Sequence, residues 1–217
     1  MEIFSRIDHT LLKAASSREE IKTHCDEAVR YKTACVCIPP VYVKEVFSGY
    51  PNLVICTVTG FPLGYSHTSV KAHETSRALD DGASEVDMVI NITDVKNGHY
   101  DLVLDEITAV KKICGEKILK IIIETCYLTE DEKIRLCRIV TESGADFIKT
   151  STGFGNAGAT LADIRLFKQH VGPDVKIKAS GGIKTREDLE AFINAGADRI
   201  GTSSAVKLLT GNTAQGY

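Results

Sequence analysis

The chain has 217 residues, 43% hydrophobic and 25% charged, with a formal charge of −3, the balance of an ordinary globular protein. That charge gives no basic excess for nucleic acid, and no stretch approaches the roughly 18 unbroken apolar residues of a membrane span. The opening MEIFSRIDHT carries Glu2, Arg6 and Asp8 and no apolar signal core, so a cytoplasmic protein with neither nucleic acid nor membrane as partner is expected. The seven cysteines are an odd set in mostly apolar surroundings, which reads as free buried thiols in a reducing compartment. Cys35 and Cys37 share a strand face, but no second Cys/His pair at zinc spacing accompanies them and the six histidines are scattered, so no metal is expected.

Strand-like apolar runs fall at 5–9, 33–38, 53–59, 84–90, 118–124, 145–151, 175–180 and 198–202. Amphipathic segments separate them. Ser16 and Ser17 ahead of Glu19 and Glu20 form a capping box for a helix to about Tyr31, and Thr129 with Glu132 opens another ending near Ser143. Thr185 opens REDLEAFINAG, where Leu189, Phe192 and Ile193 form one apolar face and Gly196 ends the helix. Strand and helix alternating about eight times implies parallel strands joined by crossovers. Eight such units close into a (β/α)8 barrel, with an open doubly wound sheet as the alternative. No Pro/Ser-rich linker divides the chain, so 1–217 is read as one domain.

A repeat supports closure. GASEVDMVIN, GADFIKTSTG and GADRIGTSSA begin at Gly82, Gly144 and Gly196, and alignment on the glycine superposes Asp87, Lys149 and Gly201. These lie on the fourth, sixth and eighth strands, and alternate strands of a barrel feed one layer of inward side chains. Asp87 and Lys149 should therefore share a layer, with Gly201 leaving open space beside them.

Four lysines lie within strands: Lys120, Lys149, Lys176 and Lys178. Three isoleucines follow Lys120, which places it toward the lower end, and Lys176 lies a step deeper than Lys178. Lys149 precedes Thr150, Ser151 and Thr152, and Lys178 precedes Ser180, Gly181 and Gly182, so both belong near the mouth, where barrel sites gather. Two ammonium groups in one apolar mouth depress each other's pKa, and a neutral amine beside a cation is suited to Schiff-base formation with a carbonyl. Asp87 can hold the second lysine protonated and pass protons. A purely structural Lys–Asp–Lys network is the alternative.

The loops ASGGIKT and GTSSAVK follow strands seven and eight, the positions that build phosphate sites in such barrels. Gly181 and Gly182 let backbone amides approach an anion, and Ser203 and Ser204 at a helix start add donors. GFGNAG at 153–158 fits the dinucleotide pattern G-x-G-x-x-G, but it follows the sixth strand and not the first. It reads instead as a loop shaping the mouth above Lys149, with Thr152 within reach of substrate.

IDHTLL, VCIPP, TVTGFPLG, EVDMVIN, LKIIIET, FIKTSTGF, IKASGGIKT and RIGTSS together resemble the deoxyribose-phosphate aldolase family over nearly the whole chain. The resemblance implies a barrel aldolase of the Schiff-base class, cleaving 2-deoxy-D-ribose 5-phosphate to glyceraldehyde 3-phosphate and acetaldehyde, with no metal or organic cofactor. It implies Lys149 as the Schiff-base lysine, Lys178 as the lysine that perturbs it, and Asp87 as the proton-transfer partner of Lys178. Asp8 and Cys37 would stand near the site, and Tyr217 could serve as a proton relay on a C-terminal tail. Pro39 and Cys126 depart from the family pattern where asparagine and glycine are common. A homo-oligomer, dimer or tetramer, is expected. A sugar-phosphate isomerase would use carboxylate or histidine bases without a covalent adduct, and a catalytically silent binder would not need Asp87, Lys149 and Lys178 together.

Overall fold

The computed structural model describes residues 3–211; Tyr217 lies outside them. Elements run β1 (Ile7–Thr10), α1 (Arg18–Tyr31), β2 (Cys35–Cys37), α2 (Val43–Gly49), β3 (Ile55–Thr59), α3 (Thr68–Asp80), β4 (Glu85–Val89), α4 (Ile92–Lys96) and α5 (Tyr100–Cys114). There follow β5 (Ile118–Ile122), α6 (Glu130–Glu142), β6 (Phe147–Lys149), α7 (Leu161–His170), β7 (Lys176–Ser180), α8 (Arg186–Ala195), β8 (Arg199–Thr202) and α9 (Ala205–Thr210). Each strand pairs in parallel with the next, and β1 pairs with β8. The barrel is closed, which overturns the open-sheet alternative.

Local chemistry explains the helix ends. Ser17 and Glu20 make a reciprocal capping box on α1, Thr129 and Glu132 on α6, and Thr185 and Asp188 on α8. Each satisfies two backbone N–H groups that a helix leaves orphaned. Gly196 ends α8 at φ +117, a conformation that penalises any side chain.

Alternation along each strand sorts the core. In β4, Val86 and Met88 face outward into one apolar layer with Val103, Ile107 and Val110 of α5, while Glu85 and Asp87 face the barrel interior. The same layer continues through Leu119, Ile121, Ile148, Ile177 and Ile200 to Phe167, Leu189 and Phe192 on the helices. The continuous apolar look of these strands thus comes from the outer face, while the inner face is charged.

The histidines are not all scattered. His9 on β1 and His24 on α1 are buried and stack with ring centroids 3.5 Å apart and 16° between planes. His9 Nε2 also bonds Glu27 at 2.8 Å. Lone pairs in near-parallel planes do not converge on one point, so the pair works as packing. Burial first, and then His9, hold His24 well below the ordinary histidine range. A folded state that refuses a proton the unfolded chain accepts loses stability as pH falls through about 6.5. Thermal unfolding is expected to show that decline, and His24→Leu to remove it; an unchanged pH dependence would refute the assignment.

Candidate active site

Register alone builds the site. Cys37 pairs with Cys56 and Cys56 with Glu85; two residues on stands Asp87. Asp87 pairs with Lys120 and Lys120 with Phe147; two residues on stands Lys149. Lys149 leads through Lys178 and Arg199 to Gly201, and Gly201 through Asp8 and Cys35 back to Cys37. Four advances of two residues bring the circuit home, which is the shear of about eight that eight strands need in such a barrel. Cys37, Asp87, Lys149 and Gly201 therefore form one layer from the even strands, as the repeat predicted for three of them. Asp8, Cys56, Lys120 and Lys178 form the interleaved layer from the odd strands, and Cys35, Glu85, Phe147 and Arg199 the layer below.

Those layers hold a continuous ion network. Asp87 Oδ2 accepts from both Lys149 Nζ and Lys178 Nζ, each at 2.7 Å, and its Oδ1 accepts from Lys120 Nζ at 2.8 Å. Lys178 also meets Asp8 Oδ2 at 2.5 Å, and Lys120 meets Glu85 at 2.6 Å. Arg199 closes the floor through Asp8 and Glu85. Burial alone would pull Lys178 down, but Asp8 and Asp87 outweigh it and hold the ammonium well above the usual lysine range. Lys120 is held up likewise against burial, chiefly by Asp87. Burial would raise Asp87, yet Lys120, Lys149 and Lys178 hold it well below the usual carboxylate range. The interior holds four basic groups (Lys120, Lys149, Lys178, Arg199) against three carboxylates (Asp8, Glu85, Asp87).

Above this network opens a cavity of about 310 Å³ at the strands' carboxyl ends. Lys149 reaches it, as do Thr152, Gly181, Gly182, Gly201, Ser203 and Ser204. Gly181 and Gly182 are successive left-handed residues at φ +83 and +76, a backbone that presents amides on a tight concave loop. Gly158 fits against that loop because a Cβ there would stand 2.2 Å from Gly181 C.

Several expectations need correction. Lys178 is fully buried and stands under the mouth, not in it; the surroundings of the two lysines are ionic and not apolar, and Asp87, joined by Asp8, holds Lys178 protonated as expected. Lys120 is no bystander at the lower end, since it shares Asp87 with the other two lysines. Lys176 is exposed at the start of β7 instead of lying deeper. Gly201 lines the cavity with Lys149, but its missing side chain also makes room for Lys178, since an added Cβ would stand 3.0 Å from Lys178 Cε. Ser204 occupies the first cap position of α9, but its side chain makes no capping bond.

Asp8 is in the network through Lys178 and Arg199. Cys37 is buried across the layer from Lys149 and packs with Cys56, and that contact with burial holds its thiol well above the ordinary range. Lys120, Glu85, Arg199 and Cys56 were missed in the sequence. Period-two alternation from Asp87 and Gly201 would have found Glu85 and Arg199.

A cavity-lining lysine over an Asp–Lys pair, at the mouth of a closed parallel barrel, belongs to an aldolase built on the (β/α)8 fold. Comparison with known proteins agrees. The chain belongs to the DeoC/LacD aldolase family, whose model matches residues 3–212. It is 61% identical to the deoxyribose-phosphate aldolase of Clostridium botulinum (strain Eklund 17B / Type B), covering 100% of this chain and 98% of that protein. The corresponding enzyme of Clostridioides difficile (strain 630) is 56% identical, over 99% of each chain. Among solved structures, the tetrameric deoxyribose phosphate aldolase of Aeropyrum pernix superposes with a TM-score of 0.90 at 32% identity, covering 96% of this chain and 90% of that one.

Proposed function

We propose that this chain cleaves 2-deoxy-D-ribose 5-phosphate reversibly to D-glyceraldehyde 3-phosphate and acetaldehyde through a Schiff base on Lys149. The carrying observation is that, of the three amines gathered on Asp87 Oδ2 and Oδ1, Lys149 is the one that also lines the cavity. The nucleophile must be uncharged to attack. Lys178 and Lys120 keep their protons among Asp8, Glu85 and Asp87, which leaves Lys149, at the cavity, as the amine placed to supply the attacking lone pair.

Lys149 Nζ adds to the aldehyde carbon, and loss of water gives an iminium. The 3-hydroxyl gives up its proton, the C2–C3 bond breaks, and its electron pair moves into the iminium to form an enamine. Glyceraldehyde 3-phosphate departs. Protonation at C2 and hydrolysis then release acetaldehyde and the free lysine. Asp87 and Lys178 are suited to move these protons, since they share a hydrogen bond directly beneath the nucleophile. The loops at Gly181–Gly182 and Ser203–Ser204 are assigned to the phosphate, which orients the fragment that leaves.

Borohydride with acetaldehyde is expected to fix a two-carbon adduct on the peptide containing Lys149. Label on another lysine, or none, would defeat the assignment. The reading includes a homo-oligomer in the cytoplasm. The tetrameric Aeropyrum pernix relative supports the first part, and among the described residues no helix is long and apolar enough to cross a membrane.

A further inference from the structure

A further carboxylate stands just past the carboxyl end of β5. Glu124 is buried and adopts φ +52, ψ +68, the left-handed region that non-glycine residues avoid. Such backbone persists only where its surroundings over-determine it, and it gathers at functional sites. Here the surroundings are explicit. Ile123 N–H bonds Lys149 O at 3.1 Å and Thr125 N–H bonds Thr150 O at 2.9 Å, so both flanks of Glu124 are fastened to the nucleophile's strand. The Glu124 carboxylate accepts Thr152 N–H on its two oxygens at 3.2 and 3.3 Å, and Oε2 accepts the Thr152 hydroxyl. Gly155 presses on the group from the other side: a Cβ there would stand 2.9 Å from Cys126 Sγ and 3.1 Å from Glu124 Cδ.

The consequence falls on Thr152. A hydroxyl has one proton and two lone pairs. The proton is committed to Glu124, and Phe154 N–H donates to Oγ1 at 3.0 Å. What remains for the cavity, which Thr152 lines, is a lone pair. We propose that Glu124 is a positioning residue that fixes Thr152 as a hydrogen-bond acceptor toward the cavity, and so selects phosphorylated aldehydes that carry a hydroxyl over those that lack one. This rests on the aldolase reading above, in which the phosphorylated fragment lies between Lys149 and the Gly181–Gly182 loop, beside Thr152. A site that pairs a buried polar group with a substrate hydroxyl rejects the analogue without it, because the group is then left unpaired.

The test is condensation of acetaldehyde with D-glyceraldehyde 3-phosphate or with 3-oxopropyl phosphate, its deoxy analogue, read as the ratio of kcat/KM. A ratio taken within one variant is insensitive to the fraction of protein that folds. The wild type is expected to favour the hydroxylated aldehyde by at least about 10²-fold. Thr152→Ser should keep that preference and Thr152→Val should lose most of it. Glu124→Asp is the deciding variant. It keeps the charge and suits the left-handed backbone, yet withdraws the carboxylate by about 1.5 Å, out of reach of the hydroxyl. Its ratio is expected to fall to about a tenth of the wild-type value or less, and Glu124→Ala to behave the same way. A wild-type ratio near one, or a full ratio in Glu124→Asp, overturns the proposal. Borohydride trapping with acetaldehyde accompanies every variant. An adduct on Lys149 with an unchanged ratio sinks the role of Glu124 alone, whereas no adduct in the wild type sinks the aldolase reading with it.

Discussion

Lys149→Met is expected to lower kcat/KM for cleavage by at least about 10³-fold, the scale on which removing a covalent nucleophile acts, while leaving the fold intact. Methionine keeps the length and apolar stem of lysine but has no amine. Its effect on stability is the more discriminating measurement. Lys149 contributes one of four bases set against three carboxylates inside the barrel, and Asp87 keeps Lys120 and Lys178 as partners after its removal. The variant should therefore melt at or above the wild-type temperature. Substantial residual cleavage would exclude Lys149 as the nucleophile, and a large drop in melting temperature would show that Asp87 depends on Lys149 as a partner.

Asp87→Asn should do the opposite. Asp87 is fully buried and is shared by Lys120, Lys149 and Lys178 at 2.7 to 2.8 Å. The amide removes one negative charge and leaves four bases facing two carboxylates. Breaking a buried ionic network by deleting one partner costs about 3–5 kcal/mol, which for a chain of this size lowers Tm on the order of 10 °C. Activity should fall by about 10²–10⁴-fold as the proton-transfer partner is lost. The pH dependence has a definite sign. In the wild type Asp87 is held below its ordinary value, so its contribution is complete above about pH 4 and is lost as pH falls further. In the variant the surplus of ammonium groups is relieved by deprotonation, so its deficit should shrink as pH rises. Circular dichroism melts of both proteins between pH 4 and pH 9.5 measure this directly. A variant as stable as the wild type throughout would show that the network is not held by Asp87.

Much of this was legible in the sequence. Runs such as 84–90 and 118–124 contain the strands Glu85–Val89 and Ile118–Ile122, because a strand covered by helices on its outer face is written as hydrophobic residues whatever its inner face carries. The shared layer of Asp87, Lys149 and Gly201 could be read because each lies at the same distance from a helix-ending glycine. The sequence was silent on depth across unlike strands. Lys120 looked remote because isoleucines follow it, yet the barrel's stagger brings its amine onto Asp87. Stagger is a property of the whole closed circuit and no local pattern encodes it. Glu124 was invisible for a different reason: its left-handed backbone is imposed by β6 and the loop beyond, against the preference of its own residue type.

The interior charges are divided by position in the chain. The three carboxylates borne on strands, Asp8, Glu85 and Asp87, come from β1 and β4, whereas β5, β6, β7 and β8 each supply one base, Lys120, Lys149, Lys178 and Arg199. The turn at Gly115, between α5 and β5, is thus a seam between an anionic half-barrel and a cationic one. The strands of neither half carry the counter-charges for their own inner faces. Closure couples the two electrostatically, and severed at that seam they would be complementary fragments whose reassembly is driven by opposite charge and by the fusion of two incomplete apolar shells.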